Sequence, residues 1–340
     1  MQPCPEDNRS FFEKLQNEKG LDLRDNRGKR HDLAVVLVGV MAALLSNRDG
    51  NLSSIERYLR NHYERLTEVL GVEKKRPVSR SQLPIILATV SVAVFDGLLF
   101  ANYGIKLNAE EKKWFALDGK ELRGSIEKGN KRGEAIVQAV AHAGLQVAAQ
   151  EYYSGEKESE VPTVRKLLEG NGLANQKISL DALHCKVGTL EIITEAGGKY
   201  VVGLKDNQKQ LKKQICLAMD NQSCLMKIKT QEKGHGRIET RIYRFYDVLE
   251  LAKEARWKDC RIKTAIKVRR ERIELKTAKT SVEESFYLSN EVGKYEELAE
   301  AVRGHWQVET NNHIRDVSLK EDKMRSKKSG YSKQSAVCGH

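Results

Sequence analysis

The feature that most constrains this chain is a pair of short apolar segments, each of which ends in an aspartate. Trp114-Phe115-Ala116-Leu117 precedes Asp118, and Lys177-Ile178-Ser179-Leu180 precedes Asp181. Runs of this length and composition predict buried β-strands. Carboxylates at strand ends are held on a rigid frame and can point at a shared site. The two segments therefore predict a sheet whose edge carries an acidic site, with Gly119 ending the first strand.

The surrounding pattern predicts an α/β fold, a mixed sheet flanked by helices. Ala135–His142 and Gln146–Tyr153 are strand-like runs separated by Ala143-Gly144, which is typical of a hairpin. A helix at Val164–Leu168 and a strand at Tyr200–Leu204 continue the alternation.

Helices are predicted on both sides of this region. Asp32 can cap a helix over Leu33–Leu45, and Ile55–Leu70 is amphipathic, so the first hundred residues predict a small helical domain. Residues 235–290 predict a separate patch of strands, and Tyr295 to about His313 predicts a late helix.

The charge balance favours an anionic partner. The chain has 59 Lys and Arg residues against 47 Asp and Glu, a formal net charge of +12. Nucleic acid is the first partner class that such a surplus suggests. Charge alone leaves open a basic protein with no such partner. The segment Lys263–Lys279 is predicted either to contact DNA or to form a solvated face.

Cysteine spacing and hydropathy indicate a cytoplasmic protein. The six cysteines are scattered without a C-x-x-C pair, which fits neither a disulfide framework nor a zinc finger. The start, Met1 to Asp25, is too polar for a signal peptide. The apolar runs Leu33–Leu45 and Leu83–Phe95 are shorter than the roughly 20 residues that cross a bilayer. Both predict buried helices, and no membrane partner is expected.

Two neighbouring aspartates at strand ends favour a divalent metal site. Asp118 and Asp181 would repel one another unless cations lay between them. Hard oxygen ligands suit Mg²⁺, and two such ions about 3.5–4 Å apart can assist phosphodiester chemistry. The alternative is that each aspartate is only a turn or capping residue.

A third acid lies on the predicted late helix. At helical spacing His305, Glu309 and His313 share one face, with Trp306 beside it. This pattern is compatible with a zinc site built from the two histidines and Glu309. It is also compatible with Glu309 joining the two strand-end aspartates. Trp306 is expected either to pack in the core or to stack on DNA.

At these residues the chain resembles bacterial insertion-sequence DDE transposases, in the branch that includes the H-repeat-associated proteins. The resemblance runs from about Leu21 to Arg325, and its motifs occur in the family's order. The matching segments are Ala116–Ser125, Ile178–Leu183, Tyr200–Gln208, Gly234–Arg241, Arg303–Glu309 and the pair Glu321-Asp322.

The resemblance implies a catalytic site and its cofactor. The family's catalytic, metal-binding acids fall on Asp118, Asp181 and Glu309. The implied activity is metal-dependent DNA cleavage at element ends, followed by strand transfer into target DNA. The implied cofactor is two Mg²⁺ ions, for which Mn²⁺ can substitute. DNA is the implied partner, homo-oligomers are expected on it, and no small-molecule substrate is expected.

The resemblance also implies a domain plan. Residues 111–325 would form a ribonuclease H-like catalytic domain with a β insertion at about 230–290. Residues 1–110 would form the helical domain, with possible recognition of DNA ends. Residues expected to contact DNA, by charge or by place in a motif, are Lys120, Arg123, Lys205, Asn207, Arg237, Arg303, His305 and Trp306.

Three departures from the family pattern qualify these expectations. Asp206 stands where the family has Gly, and Thr310 stands where it has Asn. Residues 326–340 form a polar tail where the family continues into apolar helix. The tail suggests a truncated or frameshifted copy, and with it a catalytically inactive DNA-binding relic or repressor. A stand-alone nuclease with the same acids is a further alternative.

Overall fold

Ten α-helices and nine β-strands form the parts of the chain that its computed structural model describes. Those parts are residues 8–46, 51–126, 132–153, 157–249 and 256–318. The polar tail and the pair Glu321-Asp322 lie outside them.

The bounds of the elements follow the chain order. The helices are α1 Phe11–Asn17, α2 Leu33–Leu45, α3 Leu52–Val69, α4 Leu83–Leu87, α5 Val92–Tyr103, α6 Lys157–Gly170, α7 Val187–Glu195, α8 Lys209–Asp220, α9 Tyr295–Gly304 and α10 Trp306–Val317. The strands are β1 Trp114–Glu121, β2 Ala135–Ala141, β3 Val147–Tyr153, β4 Lys177–Leu180, β5 Lys199–Leu204, β6 Met226–Gly234, β7 Arg237–Asp247, β8 Thr264–Glu274 and β9 Thr280–Ser289.

The strands form one mixed sheet in the order β3-β2-β1-β4-β5-β9-β8-β7-β6. β1, β4 and β5 are parallel, and Leu117 pairs with Leu180. The next residues, Asp118 and Asp181, therefore lie side by side on neighbouring strands. This confirms the predicted mixed sheet and the adjacency of the two acids. The prediction that Gly119 ends the first strand was wrong, since β1 continues to Glu121.

The predicted separate patch of strands at 235–290 is instead part of the same sheet. β9 pairs antiparallel with β5, with Val201 opposite Ser289, and β8, β7 and β6 follow outward. The sequence pattern predicted strands in this region, but it did not predict that β9 pairs with β5. That partner lies about 80 residues away along the chain, so local pattern carries no information about it.

The chain is divided into two units. The first comprises residues 1–105, 120–136 and 310–340. It contains α1 to α5, and α2 begins as predicted, because Asp32 accepts hydrogen bonds from the backbone of Ala34 and Val35. The second apolar run, predicted as one buried helix, is divided into α4 and α5. Between them Thr89 and Ser91 form backbone hydrogen bonds with the segment around Leu21.

The second unit comprises residues 106–119 and 137–309. Its core places apolar residues of α9 against the sheet. The buried residues are Val201, Tyr243, Phe245, Ile266, Val268, Leu298, Ala299, Ala301 and Val302. At the start of α10, Val308 packs with Ala116 and Val140. The helix carrying Glu309 is thereby anchored on strands β1 and β2.

The late helix is interrupted, in contrast to the continuous helix predicted from Tyr295 to His313. α9 ends at Gly304, His305 is a turn residue, and α10 begins at Trp306. Gly304 lies against the ring of His142, where a Cβ atom would come within 2.1 Å of Nδ1. This close approach requires a glycine at that position.

The apolar helices of the first unit are too short to be membrane spans, as their sequences predict. Among the described helices, none combines the length and the apolar character needed to cross a bilayer.

Candidate active site

Asp118 is held at the sheet edge in a half-buried position. The pKa of this carboxyl is raised to about 7, mainly by burial and also by the charges of the neighbouring carboxylates Glu160 and Asp181. The backbone N–H of Gly119 partly offsets them. The position of Asp118 in β1 is thus one where the protein alone stabilises negative charge poorly.

Asp181 follows β4 and starts a short 3-10 turn, Ala182–His184. Its Oδ1 accepts a hydrogen bond of 2.8 Å from the backbone of Leu183. The capping alternative is therefore correct for one oxygen of this carboxylate. The side chain is 44% exposed, so capping and ligand binding are compatible.

Glu309 lies in the first turn of α10 and is exposed. Glu309, Asp118 and Asp181 all line one open cavity of about 380 Å³. The structure therefore brings the three predicted acids to a common space, from two neighbouring strands and a helix.

The donor chemistry at this cavity fits Mg²⁺. Its acids offer hard carboxylate oxygens. Burial is the largest cause of the raised pKa of Asp118, and the repulsion from Glu160 and Asp181 that adds to it is one that a cation would relieve. Among the residues that the structure describes, no three His, Cys, Asp or Glu side chains are already gathered as a metal-binding group. That finding applies to the zinc set predicted from His305, Glu309 and His313 and equally to the three acids of the cavity.

His305 faces the sheet rather than open solvent. Its Nδ1 lies 3.1 Å from Ser179 Oγ, which in turn lies 2.8 Å from Nε2 of His142. Burial lowers the pKa of both imidazoles to about 4, so both are neutral at pH 7. This polar chain connects the break between α9 and α10 to β4, two residues before Asp181.

The cavity is also lined by cationic and aromatic residues. Its cations are Lys205, Lys212, Arg241, Arg270 and Arg303, and its aromatic residues are Tyr243, Phe286, Tyr287 and Trp306. The guanidinium of Arg270 lies 4.6 Å from the centre of the Trp306 ring, and that of Arg303 lies 5.7 Å from it. Trp306 is half-buried beside two cations. It is therefore neither fully packed in the core nor a fully exposed ring for stacking on DNA, the two alternatives that the sequence left open.

Four of the predicted DNA-contacting residues line this cavity: Lys205, Arg303, His305 and Trp306. The other four, Lys120, Arg123, Asn207 and Arg237, are absent from its lining.

Of these four residues, Lys120 and Asn207 form contacts within the protein that indicate structural roles. Lys120 is buried, and its ammonium forms an ion pair with Asp316 at 2.5 Å. Asn207 donates a hydrogen bond of 2.6 Å to the carbonyl of Ala182, which braces the turn after Asp181. Arg237 lies 3.6 Å from Glu239 and is 42% exposed. Arg123 is exposed.

Several residues at the site were not predicted, among them Lys212, Tyr243 and Phe286 of the cavity lining. Two more contact or influence residues that were predicted. Glu160, on α6, interacts with Asp118, and Arg270 contacts Trp306. Arg270 belongs to the basic segment noted in the sequence, and strand alternation would have placed it on one face with Arg272. Nothing in the sequence distinguishes Glu160 from the other acids around it.

Comparison with known proteins gives one consistent family. Residues 109–331 match the family described as "Transposase DDE domain". A relative from Escherichia coli K12, "H repeat-associated putative transposase YhhI", is 25% identical over 312 residues, covering 88% of this chain and 81% of the relative. "Putative transposase YncI" of Escherichia coli O157:H7 is 26% identical over 317 residues, covering 89% of this chain and 79% of the relative.

A third relative extends the comparison beyond Escherichia coli. "Uncharacterized protein in dhlA 3'region" of Xanthobacter autotrophicus is 27% identical over 267 residues, covering 77% of this chain and 88% of the relative. The family match spans more than half of the chain and includes all three acids of the cavity. The chain belongs to the family of DDE-domain transposases of bacterial insertion sequences.

Proposed function

We propose that this transposase cleaves DNA at the ends of an insertion sequence and joins the freed 3′ ends to target DNA. Asp118, Asp181 and Glu309 are the proposed catalytic acids. The observation that carries this proposal is their convergence on one cavity that also has a cationic wall. Phosphodiester chemistry needs both features, since the reacting centre carries anionic charge and the flanking phosphates must be held.

The three acids fit two divalent ions, Mg²⁺ or Mn²⁺, through their carboxylate oxygens. When bound, a pair of such ions stabilises the attacking and departing oxygens of a phosphodiester displacement. Asp118 and Asp181 would hold them from neighbouring strand ends, and Glu309 would complete the set from α10.

The remaining residues of the cavity would orient the DNA. Lys205 and Arg303 are exposed cations on its lining, suited to phosphate oxygens. The neutral imidazole of His305 would keep the α9–α10 break against β4. A shift of α10 by about 1 Å would move Glu309 relative to the strand-end acids, and such misplacement is costly for catalysis.

The finer fold assignment is also part of this proposal. We assign the ribonuclease H-like topology to the catalytic domain, supported by the order β3-β2-β1-β4-β5 and by the parallel set β1, β4 and β5. The domain division at about residue 110, recognition of DNA ends by residues 1–110, and assembly as homo-oligomers on DNA are proposed from the family resemblance.

The test uses the full chain, Mg²⁺ or Mn²⁺, and DNA carrying the ends of the element that encodes it. We expect Asp118→Asn, Asp181→Asn and Glu309→Gln each to reduce end cleavage by about 100-fold or more. Glu169→Gln, an exposed acid on α6, is the matched control and should cleave like the wild type.

Two outcomes would contradict the proposal. Cleavage at wild-type rates by all three variants would remove the catalytic assignment. Cleavage without any joined product, under conditions that supply target DNA, would leave a nuclease in place of a transposase. DNA binding without metal-dependent cleavage would favour the inactive relic.

A further inference from the structure

Glu160 brings a further carboxylate close to Asp118. Its carboxyl lies against Gly119, where a Cβ atom would come within 2.6 Å of Cδ and 2.8 Å of Oε2. A glycine directly after Asp118 thus leaves room for this side chain.

The orientation of Glu160 is set by two hydrogen-bonding groups from different elements. Nε2 of His184 lies 3.2 Å from Oε1, and the Tyr153 hydroxyl donates to Oε2 at 3.3 Å. His184 is completely buried and also lies 4.0 Å from Oδ1 of Asp181. One histidine therefore contacts the carboxylate of α6 and approaches the one that follows β4.

Among the residues that the structure describes, the one potential cation paired with Glu160 is His184, which carries charge only when protonated. The Glu160 side chain is only 15% exposed. Placing a carboxylate in such a position beside other carboxylates is unfavourable unless a cation compensates it. A residue needed only to anchor α6 would serve better as a neutral glutamine, which keeps the hydrogen bonds without the charge.

We propose that Glu160 is a fourth carboxylate of the acidic site and helps to bind the divalent cation together with Asp118 and Asp181. The inference rests on the proposed function, because it deepens the same metal site. With Glu160, α6 would contribute a ligand to the metal site, in addition to those from the two neighbouring strands and α10.

Metal binding can be measured without any DNA reaction. The metal-free full chain is titrated with Mn²⁺ by calorimetry. Glu160→Gln should weaken Mn²⁺ binding by about 10- to 100-fold, the range found when a group supporting a metal site is removed. Glu169→Gln, on the same helix, should bind Mn²⁺ like the wild type.

Thermal unfolding separates a ligand from a structural brace. In the metal-free state Glu160→Gln should unfold at the wild-type temperature or higher, because repulsion with Asp118 is relieved. In excess Mn²⁺ its gain in unfolding temperature should be smaller than that of the wild type, because stabilisation by a ligand follows its affinity. A merely structural role would lower the metal-free unfolding temperature, and that result would overturn the inference.

The outcomes also distinguish this inference from the proposed function. If Glu160→Gln binds Mn²⁺ within twofold of the wild type while Asp118→Asn binds it weakly, only the role of Glu160 is wrong. If Asp118→Asn also binds like the wild type, the proposed metal site itself fails. Should Glu160→Gln not fold, Glu160→Asp keeps the charge but withdraws it by one methylene. Unchanged Mn²⁺ affinity in that variant would again overturn the inference.

Discussion

Two buried acidic centres in the second unit are balanced in opposite ways. On strands β7 and β8 a single carboxylate, Glu239, is 6% exposed and is surrounded by arginines. Arg241 pairs with it, and the nitrogen–oxygen distances to Arg237, Arg270 and Arg272 are 3.6, 3.1 and 3.2 Å. At the sheet edge, by contrast, Asp118 is surrounded by further acids, Glu160 and Asp181.

The two centres differ in the source of the positive charge that balances their carboxylates. The Glu239 centre draws its counter-charge from neighbouring arginines, so its charge is balanced within the protein. At the Asp118 centre the side chains that act on the carboxyl by charge are two further acids and one histidine, His184, so this centre is suited to cations from outside. Neutralising one carboxylate should therefore have opposite consequences for stability at the two centres.

The largest expected effect is at the arginine-rich centre. Glu239→Gln removes the charge that pairs with the buried Arg241 and with three partly exposed arginines. Breaking a buried ion pair typically costs about 3–5 kcal/mol. We expect the free energy of unfolding, measured with denaturant, to fall by about that amount. Glu283→Gln is the control, because Glu283 is 66% exposed and lies 3.7 Å from Arg270, so its loss should cost below about 1 kcal/mol. Equal stability of the two variants would break the comparison.

The second effect has the opposite sign and depends on pH. The pKa of Asp118 is raised to about 7 in the folded chain from 3.8. Its protonation stabilises the folded state, fully below about pH 4, and that stabilisation is lost as the pH rises through 7. In EDTA, Asp118→Asn should match the wild type near pH 4. At pH 8 it should be more stable by on the order of 2 kcal/mol. Unfolding curves across this range check it, and a destabilised variant at pH 8 would contradict the prediction.

The smallest expected effect is on DNA affinity, and it concerns Lys205, an exposed cation of the cavity lining. Lys205→Gln should lower DNA affinity modestly and reduce the slope of log affinity against log salt concentration by about 1, since one phosphate contact is lost. Lys166→Gln is the control, because Lys166 is 71% exposed, pairs with Glu151 and is not part of the cavity lining. Fluorescence anisotropy at several salt concentrations measures both slopes. Identical slopes for Lys205→Gln and the wild type would remove Lys205 from the proposed DNA contacts.

Much of this organisation could be predicted from the sequence, because it depends on local pattern. The segments that precede Asp118 and Asp181 are short apolar runs, and the cap at Asp32 is a local hydrogen bond. The role of Glu309 was harder to predict. Helical spacing allowed it to be either a zinc ligand or the third acid of the site, and only the family resemblance favoured the third acid.

What could not be predicted depends on contacts between distant parts of the chain. At the break between α9 and α10, Gly304 lies against the ring of His142, which is more than 150 residues earlier in the sequence. The ion pair of Lys120 with Asp316 spans 196 residues, so a basic residue next to a motif looked like a surface cation. Glu160 lies on a helix with several acids, and only the folded chain places it beside Gly119.

The pairing of β5 with β9 has a consequence for how such proteins diverge. The chain leaves the acid-bearing strands at β5 and returns on its immediate neighbour, about 4.8 Å away. Everything between them, including Lys205 and Arg270, is therefore a module that evolution can lengthen, shorten or exchange without displacing β1 or β4. Different lineages can refashion the surface that we propose to contact DNA, while the two aspartates keep the same mutual arrangement.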